Sequence, residues 1–173
     1  MAVLIRSLVE EDIERACVLM ADVFRLAYSR AYSDKHSFDA YVRGSFHPER
    51  YVDELRRNCI ECLVAEVEDE LVGVLKLSLT STPEEVPGRR AVEVEKLYVR
   101  EQHHGSGLAG SLLQRAFERA ERAGFDAIWL CVWEHNPRAR AFYRKHGFEA
   151  VGDMVTPMND VPFRDYVMWR SLV

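Results

Sequence analysis

Two short stretches of this chain combine residue types that could do chemistry. The first is a glycine-rich turn, Gln102-His-His-Gly105-Ser-Gly107-Leu-Ala109-Gly110. The second is Asn136-Pro-Arg-Ala-Arg-Ala-Phe142-Tyr143-Arg-Lys-His-Gly147-Phe148, which places an amide and a phenol in one segment. Backbone N–H groups in a glycine-rich turn can hold an anion, and a phenol can donate a proton.

The residues on either side of the glycine-rich turn predict a strand followed by a helix. Residues 92–99 are rich in β-branched types and mostly alternate in polarity, as a strand does. After about Gly105 the apolar residues recur at helical spacing, and Gly124 stands where a left-handed C-terminal residue belongs. Amides at such a junction point outward, and the helix dipole favours an anion. The turn alone leaves two interpretations open, a phosphate site and an ordinary tight turn.

The second stretch predicts a short helix that carries a proton donor. Asn136 is expected to cap this helix, with Pro137 in its first turn and Gly147 at its end. Tyr143 lies seven residues after Asn136, two helical turns on, which predicts that both side chains face the same way. A tyrosine hydroxyl stays protonated near neutral pH and can donate to a thiolate. The alternative for Tyr143 is a buried aromatic residue whose hydroxyl bonds a carbonyl. Its neighbour Phe142, which has no hydroxyl, fits a pure packing role better.

Taken together, these motifs resemble those of the GNAT superfamily of N-acyltransferases, over roughly residues 60–152. Two further stretches, Tyr41-Val-Arg-Gly-Ser-Phe46 and Trp129-Leu-Cys-Val-Trp-Glu-His-Asn136, are similar to the bacterial polyamine (spermine/spermidine) acetyltransferases described as protease synthase and sporulation negative regulators. The resemblance implies acetyl transfer from acetyl-CoA to a primary amine of a small, polyamine-like acceptor by direct attack in a ternary complex. Two alternatives stay open: another amine (an amino acid, an antibiotic or a protein N-terminus), and a non-catalytic acyl-CoA-binding regulator.

The resemblance also implies roles for individual residues. Glu95 is the first choice for the general base and Glu93 the second, and alternation places both on one face of their strand. A merely solvated strand face is the alternative for these glutamates. Tyr143 is implied as the acid beside the coenzyme sulfur. The implied coenzyme-binding residues are Leu97, Tyr98 and Val99 for the pantetheine amides, Asn136 for the pantetheine arm, and Gly105, Gly107, Leu108, Ala109 and Gly110 for the diphosphate. Gln102, His104, Ser106 and Tyr143 are also implied in the coenzyme site. Lys145 is implied for an outer phosphate, with a merely solvated lysine as the alternative.

Composition agrees with a single globular domain spanning residues 1–173. The chain has 48% hydrophobic and 29% charged residues, which are ordinary globular values. Its net charge of −5 argues against a nucleic-acid partner, and the absence of an apolar run of membrane-spanning length argues against a membrane protein. We expect a cytoplasmic enzyme with acetyl-CoA as co-substrate and no metal, because Cys59-Ile-Glu-Cys62 lacks a second ligand pair. A monomer and a homodimer both stay open.

The element pattern predicts a mixed α/β fold, with one central, mostly antiparallel sheet flanked by helices. Beyond the stretches above, we expect strands at 2–7, 63–67, 71–79, 126–133, 148–153 and 164–171, a helix from Ile13 to Tyr28, two short helices within 37–58 and a loop at 81–90. The acceptor is expected beside the helices at 20–58, the loop at 81–90 and the last hairpin. Candidate acceptor-binding residues are Tyr28, Tyr32, Phe38, Tyr41 and Phe46 for aromatic surface, and Asp34, Asp39 and Asp53 for negative charge.

Overall fold

A computed structural model of the chain describes residues 3–32, 34–79, 82–88, 90–158 and 161–173. Within these ranges the chain forms seven strands and five α-helices. They are β1 (Leu4–Ser7), α1 (Ile13–Tyr28), α2 (Lys35–Ser45), α3 (Pro48–Arg56), β2 (Ile60–Val67), β3 (Glu70–Ser78), β4 (Ala91–Val99), α4 (Leu108–Arg122), β5 (Ala127–Trp133), α5 (Pro137–Lys145), β6 (Glu149–Met158) and β7 (Val161–Ser171). No helix in the described ranges has the length and apolar character that crossing a bilayer requires.

The strands form one sheet in the order β1-β2-β3-β4-β5-β7-β6. The pairs β1/β2, β5/β7 and β6/β7 are antiparallel, whereas β4 and β5 run parallel. The predicted fold class, a mixed α/β protein with a single, mostly antiparallel sheet flanked by helices, is confirmed.

The chain divides into two compact units. The first contains Met1–Lys76 and Lys96–Gln114, and the second contains Leu77–Glu95 and Arg115–Val173. β3, β4 and α4 each contribute residues to both units. The single domain over residues 1–173 stays a prediction.

The first unit is built around the amphipathic helix α1. This helix buries one apolar face, and the Phe24 ring lies 5.9 Å from that of Phe38 and 5.5 Å from that of Phe46, so aromatic contacts hold α2 and its C-terminal end against α1. The hairpin of β2 and β3 turns through Glu68 and Asp69, whose φ angles of 49° and 66° are both positive. Two positive φ angles are typical of a type I′ turn, which matches the twist of paired strands.

The second unit ends in a hairpin of β6 and β7 that is longer than the sequence predicts. The predicted strands stop at residue 153 and restart at residue 164, whereas the paired register continues through Val155/Arg164 to Met158/Val161. A bulge between Ala150 and Gly152 lies inside the predicted strand, whereas the missed part includes the pair Pro157/Pro162, and proline in a sequence argues against a strand. The strand lengths predicted for this hairpin are therefore wrong, although both strands exist. Residues 159 and 160 lie outside the described ranges.

Most other predicted elements are confirmed with small shifts of their ends. α1 has the predicted bounds, α2 begins at Lys35 rather than residue 37, and Pro48 begins α3. The predicted loop at 81–90 contains no helix or strand at 82–88 and 90, the part of it that the structure describes. Residues 81 and 89 of that loop lie outside the described ranges.

Candidate active site

The glycine-rich turn belongs to the first unit and has the backbone conformation that its sequence predicts. After β4 a single 3₁₀ turn, Glu101–His103, leads into Gly105 with φ 81° and Gly107 with φ 86°. Both angles lie in the left-handed region, where only glycine is free of strain. A Cβ atom built on either glycine would meet no described atom within 4 Å. The main chain of this turn therefore faces open space, and a ligand can approach it closely.

The N-terminus of α4 follows the turn at once. Ser111 N donates to Gly107 O at 3.0 Å, so Gly107 is the residue that caps the helix. The amides of Leu108, Ala109 and Gly110 precede the first intrahelical hydrogen bond, and they point along the axis at the positive end of the helix dipole. Leu108 N also lies 3.4 Å from Ser106 Oγ. This arrangement of backbone donors favours an anion such as a phosphate group.

A close contact between β3 and α4 fixes this helix start. A Cβ atom added at Gly73 would lie 2.9 Å from Leu112 Cδ1, closer than real side chains approach each other. Leu112 itself is fully buried. A side chain at position 73 would therefore have to displace that of Leu112, so glycine allows the strand and the first turns of the helix to pack closely.

His104 is held by a backbone hydrogen bond beside the turn. Its Nε2 lies 3.0 Å from Val99 O, and a carbonyl oxygen can only accept, so Nε2 carries the hydrogen. Nδ1 is therefore the ring atom left for a phosphate, and it can donate only when the ring is protonated. The same bond uses the carbonyl of Val99, one of the predicted pantetheine partners. The roles of His104, Val99 and the exposed Gln102 stay predictions.

The two candidate bases lie on β4 within the second unit. Glu93 and Glu95 are half-buried and alternate with Val92 and Val94, which are 1% and 4% exposed. Alternation puts both side chains on the same face of the strand, with their Cα atoms about 7 Å apart at a rise of roughly 3.3 Å per residue. The arrangement agrees with the prediction that these two side chains share one strand face.

A pair of tryptophans lies in the same row of the sheet as Glu93. Glu93 is in register with Trp129 on β5, and Trp129 with Trp169 on β7, so all three side chains project from one face. Trp129 is 4% exposed, and the indole nitrogens of both tryptophans are buried with no hydrogen-bond partner in the described part of the chain. Buried donors without partners are rare in native proteins. The sequence prediction missed this feature, because only the strand register brings the two residues together.

The helix α5 carries Asn136 at one end and Tyr143 near the other, also within the second unit. Asn136 Oδ1 accepts a hydrogen bond from Ala139 N at 3.0 Å, which confirms the predicted N-cap. The backbone angles of Asn136, φ −109° and ψ 70°, place it outside the helical turns. The two-turn spacing between Asn136 and Tyr143 therefore does not fix the direction of the Asn136 side chain. The prediction that the side chains of Asn136 and Tyr143 face the same way therefore has no support from their spacing, because a capping side chain turns back to the first amides of the helix.

The C-terminal end of α5 holds Tyr143 through a Schellman motif. Phe148 N donates to Tyr143 O at 3.1 Å, Gly147 N donates to Arg144 O at 3.0 Å, and Gly147 has φ 83°. The Tyr143 ring lies 5.6 Å from the Phe148 ring and 5.2 Å from the Phe142 ring, both in edge-to-face arrangements. Tyr143 is half-buried, so packing fixes its ring without enclosing it. The predicted phosphate ligand Lys145 is exposed in the last turn of α5.

The aromatic residues expected to line an acceptor site are partly core residues. Phe38 and Phe46 are 5% and 6% exposed, and Tyr32 is 7% exposed with its ring 4.7 Å from that of Phe38. Burial raises the pKa of the Tyr32 hydroxyl to about 12. The expectation of aromatic surface is therefore wrong for these three residues, whereas Tyr28 and Tyr41 are half-buried.

The acidic residues expected to attract a cationic amine have local structural roles. Asp34 caps α2, because its Oδ1 accepts from His36 N at 2.9 Å. Asp39 lies 3.7 Å from the Arg25 side chain, and Asp53 lies 3.6 Å from that of Arg57. A helix cap and two ion pairs account for these carboxylates, so they give no independent support to a cationic acceptor.

The four cysteines are free thiols. Cys17 and Cys62 are buried, and burial raises the pKa of the Cys17 thiol to about 11. Among the described residues, no group of three or more His, Cys, Asp or Glu side chains is placed to hold a metal ion.

Comparison with known proteins identifies the family. Residues 19–148 match the sequence model of the acetyltransferase (GNAT) family. An uncharacterized N-acetyltransferase of Lactobacillus delbrueckii subsp. lactis is 30% identical over 107 residues, which are 62% of this chain and 62% of that relative, less than two thirds of its length. An uncharacterized N-acetyltransferase of Mycobacterium tuberculosis (strain ATCC 25618 / H37Rv) is 29% identical over 162 residues, covering 94% of this chain and 99% of the relative.

Solved structures share the fold. The PaiA N-acetyltransferase from Thermoplasma acidophilum, solved in complex with coenzyme A, has a TM-score of 0.80 at 21% identity, covering 99% of both chains. A ribosomal-protein-alanine N-acetyltransferase from Brucella melitensis has a TM-score of 0.72 at 19% identity, covering 97% of this chain and 99% of its own. With the family match over three quarters of its length, the chain belongs to the acetyltransferase (GNAT) family and is an acetyl-CoA-dependent N-acetyltransferase.

Proposed function

We propose that this enzyme transfers the acetyl group of acetyl-CoA to the primary amine of a small, polyamine-like acceptor by direct attack in a ternary complex. One observation carries the coenzyme part of the proposal. Gly105 and Gly107 both have left-handed backbones, face open space and directly precede the amides that begin α4. This is the geometry that binds a diphosphate.

We assign the coenzyme contacts to the residues that the motifs predict. The amides from Gly105 to Gly110 hold the diphosphate, the backbone of Leu97, Tyr98 and Val99 pairs with the pantetheine amides like an added strand, and Lys145 contacts an outer phosphate. Because Oδ1 of Asn136 accepts the capping hydrogen bond, Asn136 contacts pantetheine through its Nδ2 donor.

The chemistry requires one proton acceptor and one proton donor. A primary amine has a pKa of about 10.4, so it must lose a proton before its nitrogen attacks the thioester carbonyl. Glu95, or Glu93 in its place, accepts that proton. The nitrogen adds to the thioester carbonyl, and the C–S bond breaks as the carbonyl re-forms. The Tyr143 hydroxyl gives its proton to the departing thiolate, and the second proton lost by the attacking nitrogen restores the tyrosine hydroxyl.

Two acceptor classes are each favoured by one observation. Glu93 and Glu95, whose Cα atoms lie about 7 Å apart on one strand face, suit an acceptor with two ammonium groups, such as a polyamine. The unpartnered indole N–H groups of Trp129 and Trp169 suit an amine that also carries a carbonyl or hydroxyl oxygen, such as an amino acid derivative. An acceptor screen that pairs diamines with amino acid amides, read by thiol release, separates the two classes.

Replacing one hydroxyl tests the catalytic assignment. We expect Tyr143→Phe to lower kcat by roughly ten- to ten-thousand-fold, the usual range for lost acid–base help, with coenzyme affinity unchanged. Tyr32→Phe removes the same atom from a buried core position and is expected to leave kcat unchanged. A non-catalytic regulator would instead bind acetyl-CoA tightly, release no thiol with any amine and be indifferent to Tyr143→Phe.

A further inference from the structure

Arg170 on β7 contacts the C-terminal end of the helix that carries Tyr143. Its Nη1 donates to His146 O at 3.1 Å, and a Cβ atom added at Gly147 would lie 3.5 Å from its Cδ and Nε atoms. The carbonyl of His146 belongs to the negative end of the α5 dipole, where a cation is stabilising. The side chain of Arg170 therefore fixes the position of this helix end against β7.

The same guanidinium begins a stack of rings that leads to Tyr143. Its central carbon lies 4.0 Å from the centroid of the Phe117 ring on α4. The Phe117 ring is 6.0 Å from the Phe148 ring, and the Phe148 ring is 5.6 Å from that of Tyr143. Phe117 and Phe148 are 1% and 2% exposed, so the middle of this stack is close-packed and transmits displacements.

We propose that Arg170 is a positioning residue for Tyr143. It acts by two routes, through the backbone at His146 and through the rings of Phe117 and Phe148. The planar guanidinium stacks on Phe117 with its face and donates to the His146 carbonyl with its edge, a geometry that the ammonium of lysine does not reproduce. The proposal rests on the proposed function, because it concerns the group that we assign as the acid.

Kinetics of Arg170→Met test the proposal. This change keeps most of the apolar stem and removes both the donor and the planar cation. We expect kcat to fall roughly ten- to hundredfold, since small misplacements of a catalytic group cost this much, while the coenzyme Kd stays unchanged. Arg170→Lys should restore little of the lost turnover. In a Tyr143→Phe background, Arg170→Met should lower kcat no further. Arg164→Met is the matched control, because Arg164 lies on the same strand but is paired with Asp153 at the surface.

A second readout follows the position of Tyr143 independently of turnover. With 3-fluorotyrosine at position 143, Arg170→Met should shift and broaden the ¹⁹F resonance, whereas Arg164→Met should leave it unchanged. An unchanged resonance in folded Arg170→Met protein, or an equal loss of kcat in both backgrounds, would overturn the proposal. If Tyr143→Phe alone turned over at the wild-type rate, the assignment of the acid would fail. The resonance would still decide whether Arg170 positions the ring.

Discussion

Alanine substitution at Gly105 or Gly107 should separate the stability of the glycine-rich turn from its ability to bind the coenzyme. Both glycines have φ near 80°, where an alanine costs roughly 1–2 kcal/mol. No described atom lies within 4 Å of the added Cβ, so steric clashes with the protein add nothing to this cost. We therefore expect the free energy of unfolding to fall by about 1–2 kcal/mol for each variant.

The effect on coenzyme binding should have a different cause. The added methyl group occupies the space through which a phosphate approaches the backbone amides. A hydrogen bond to a charged group contributes about 1.5–3 kcal/mol, so losing one weakens binding by roughly ten- to hundredfold. Calorimetric titration with coenzyme A measures this loss, and urea unfolding followed by tryptophan fluorescence measures the stability.

Gly124→Ala is the matched control for backbone strain. Gly124 has φ 78° at the C-terminal end of α4, and its added Cβ would lie 3.2 Å from Arg90 Nη1, the movable end of a side chain. We expect a similar loss of stability in this variant with no loss of coenzyme affinity. Equal affinities for all three variants would show that the turn does not bind the coenzyme, and the proposed site would have to be abandoned.

Two further predictions concern buried charges in the first unit. Asp12→Asn should lower the free energy of unfolding by about 2 kcal/mol at pH 7 and by little near pH 2, because hydrogen bonds from Arg6 lower the pKa of the Asp12 carboxyl to about 2. The stabilisation by the Asp12 carboxylate is present above about pH 4 and is lost as the pH falls through 2. Urea unfolding of both proteins across this pH range measures it. Glu54→Gln should lower the free energy of unfolding by roughly 3 kcal/mol, because it removes the carboxylate that lies 2.7 Å from the Lys76 ammonium, which is 1% exposed. Lys76→Met should cost clearly less, because it removes the buried ammonium charge itself. Thermal unfolding compares the two variants, and an equal loss of stability would contradict this account.

The parts of the fold that obey local rules could be predicted from the sequence. Asn136, Pro137 and Gly147 mark the ends of α5 because capping depends on residues within a few positions of each other. The same holds for the glycine-rich turn, whose positive φ angles are permitted by residue type.

Features that depend on register or on distant partners could not be predicted. Trp129 and Trp169 become neighbours only when β5 and β7 pair in one particular register. Asp34 and Asp39 were candidates for binding an amine, but one caps a helix and the other meets Arg25 from α1. A carboxylate in a sequence does not reveal which of these roles it has, because all of them need the same chemical group.

The residues that cap α5 and the proposed catalytic residue Tyr143 belong to the same sequence motif but have different roles. Asn136, Gly147 and Phe148 are the most recognisable residues of the motif at 136–148, and each of them stabilises an end of the helix. A phenylalanine at position 143 would preserve all of these contacts, since the hydroxyl takes no part in the Schellman bonds or the ring packing. Such a protein would still match the family pattern but would lack the proposed acid. If Tyr143 is the acid as proposed, the residues that identify the family and the atom needed for turnover are different, because the caps shape the helix and only the hydroxyl oxygen takes part in the reaction.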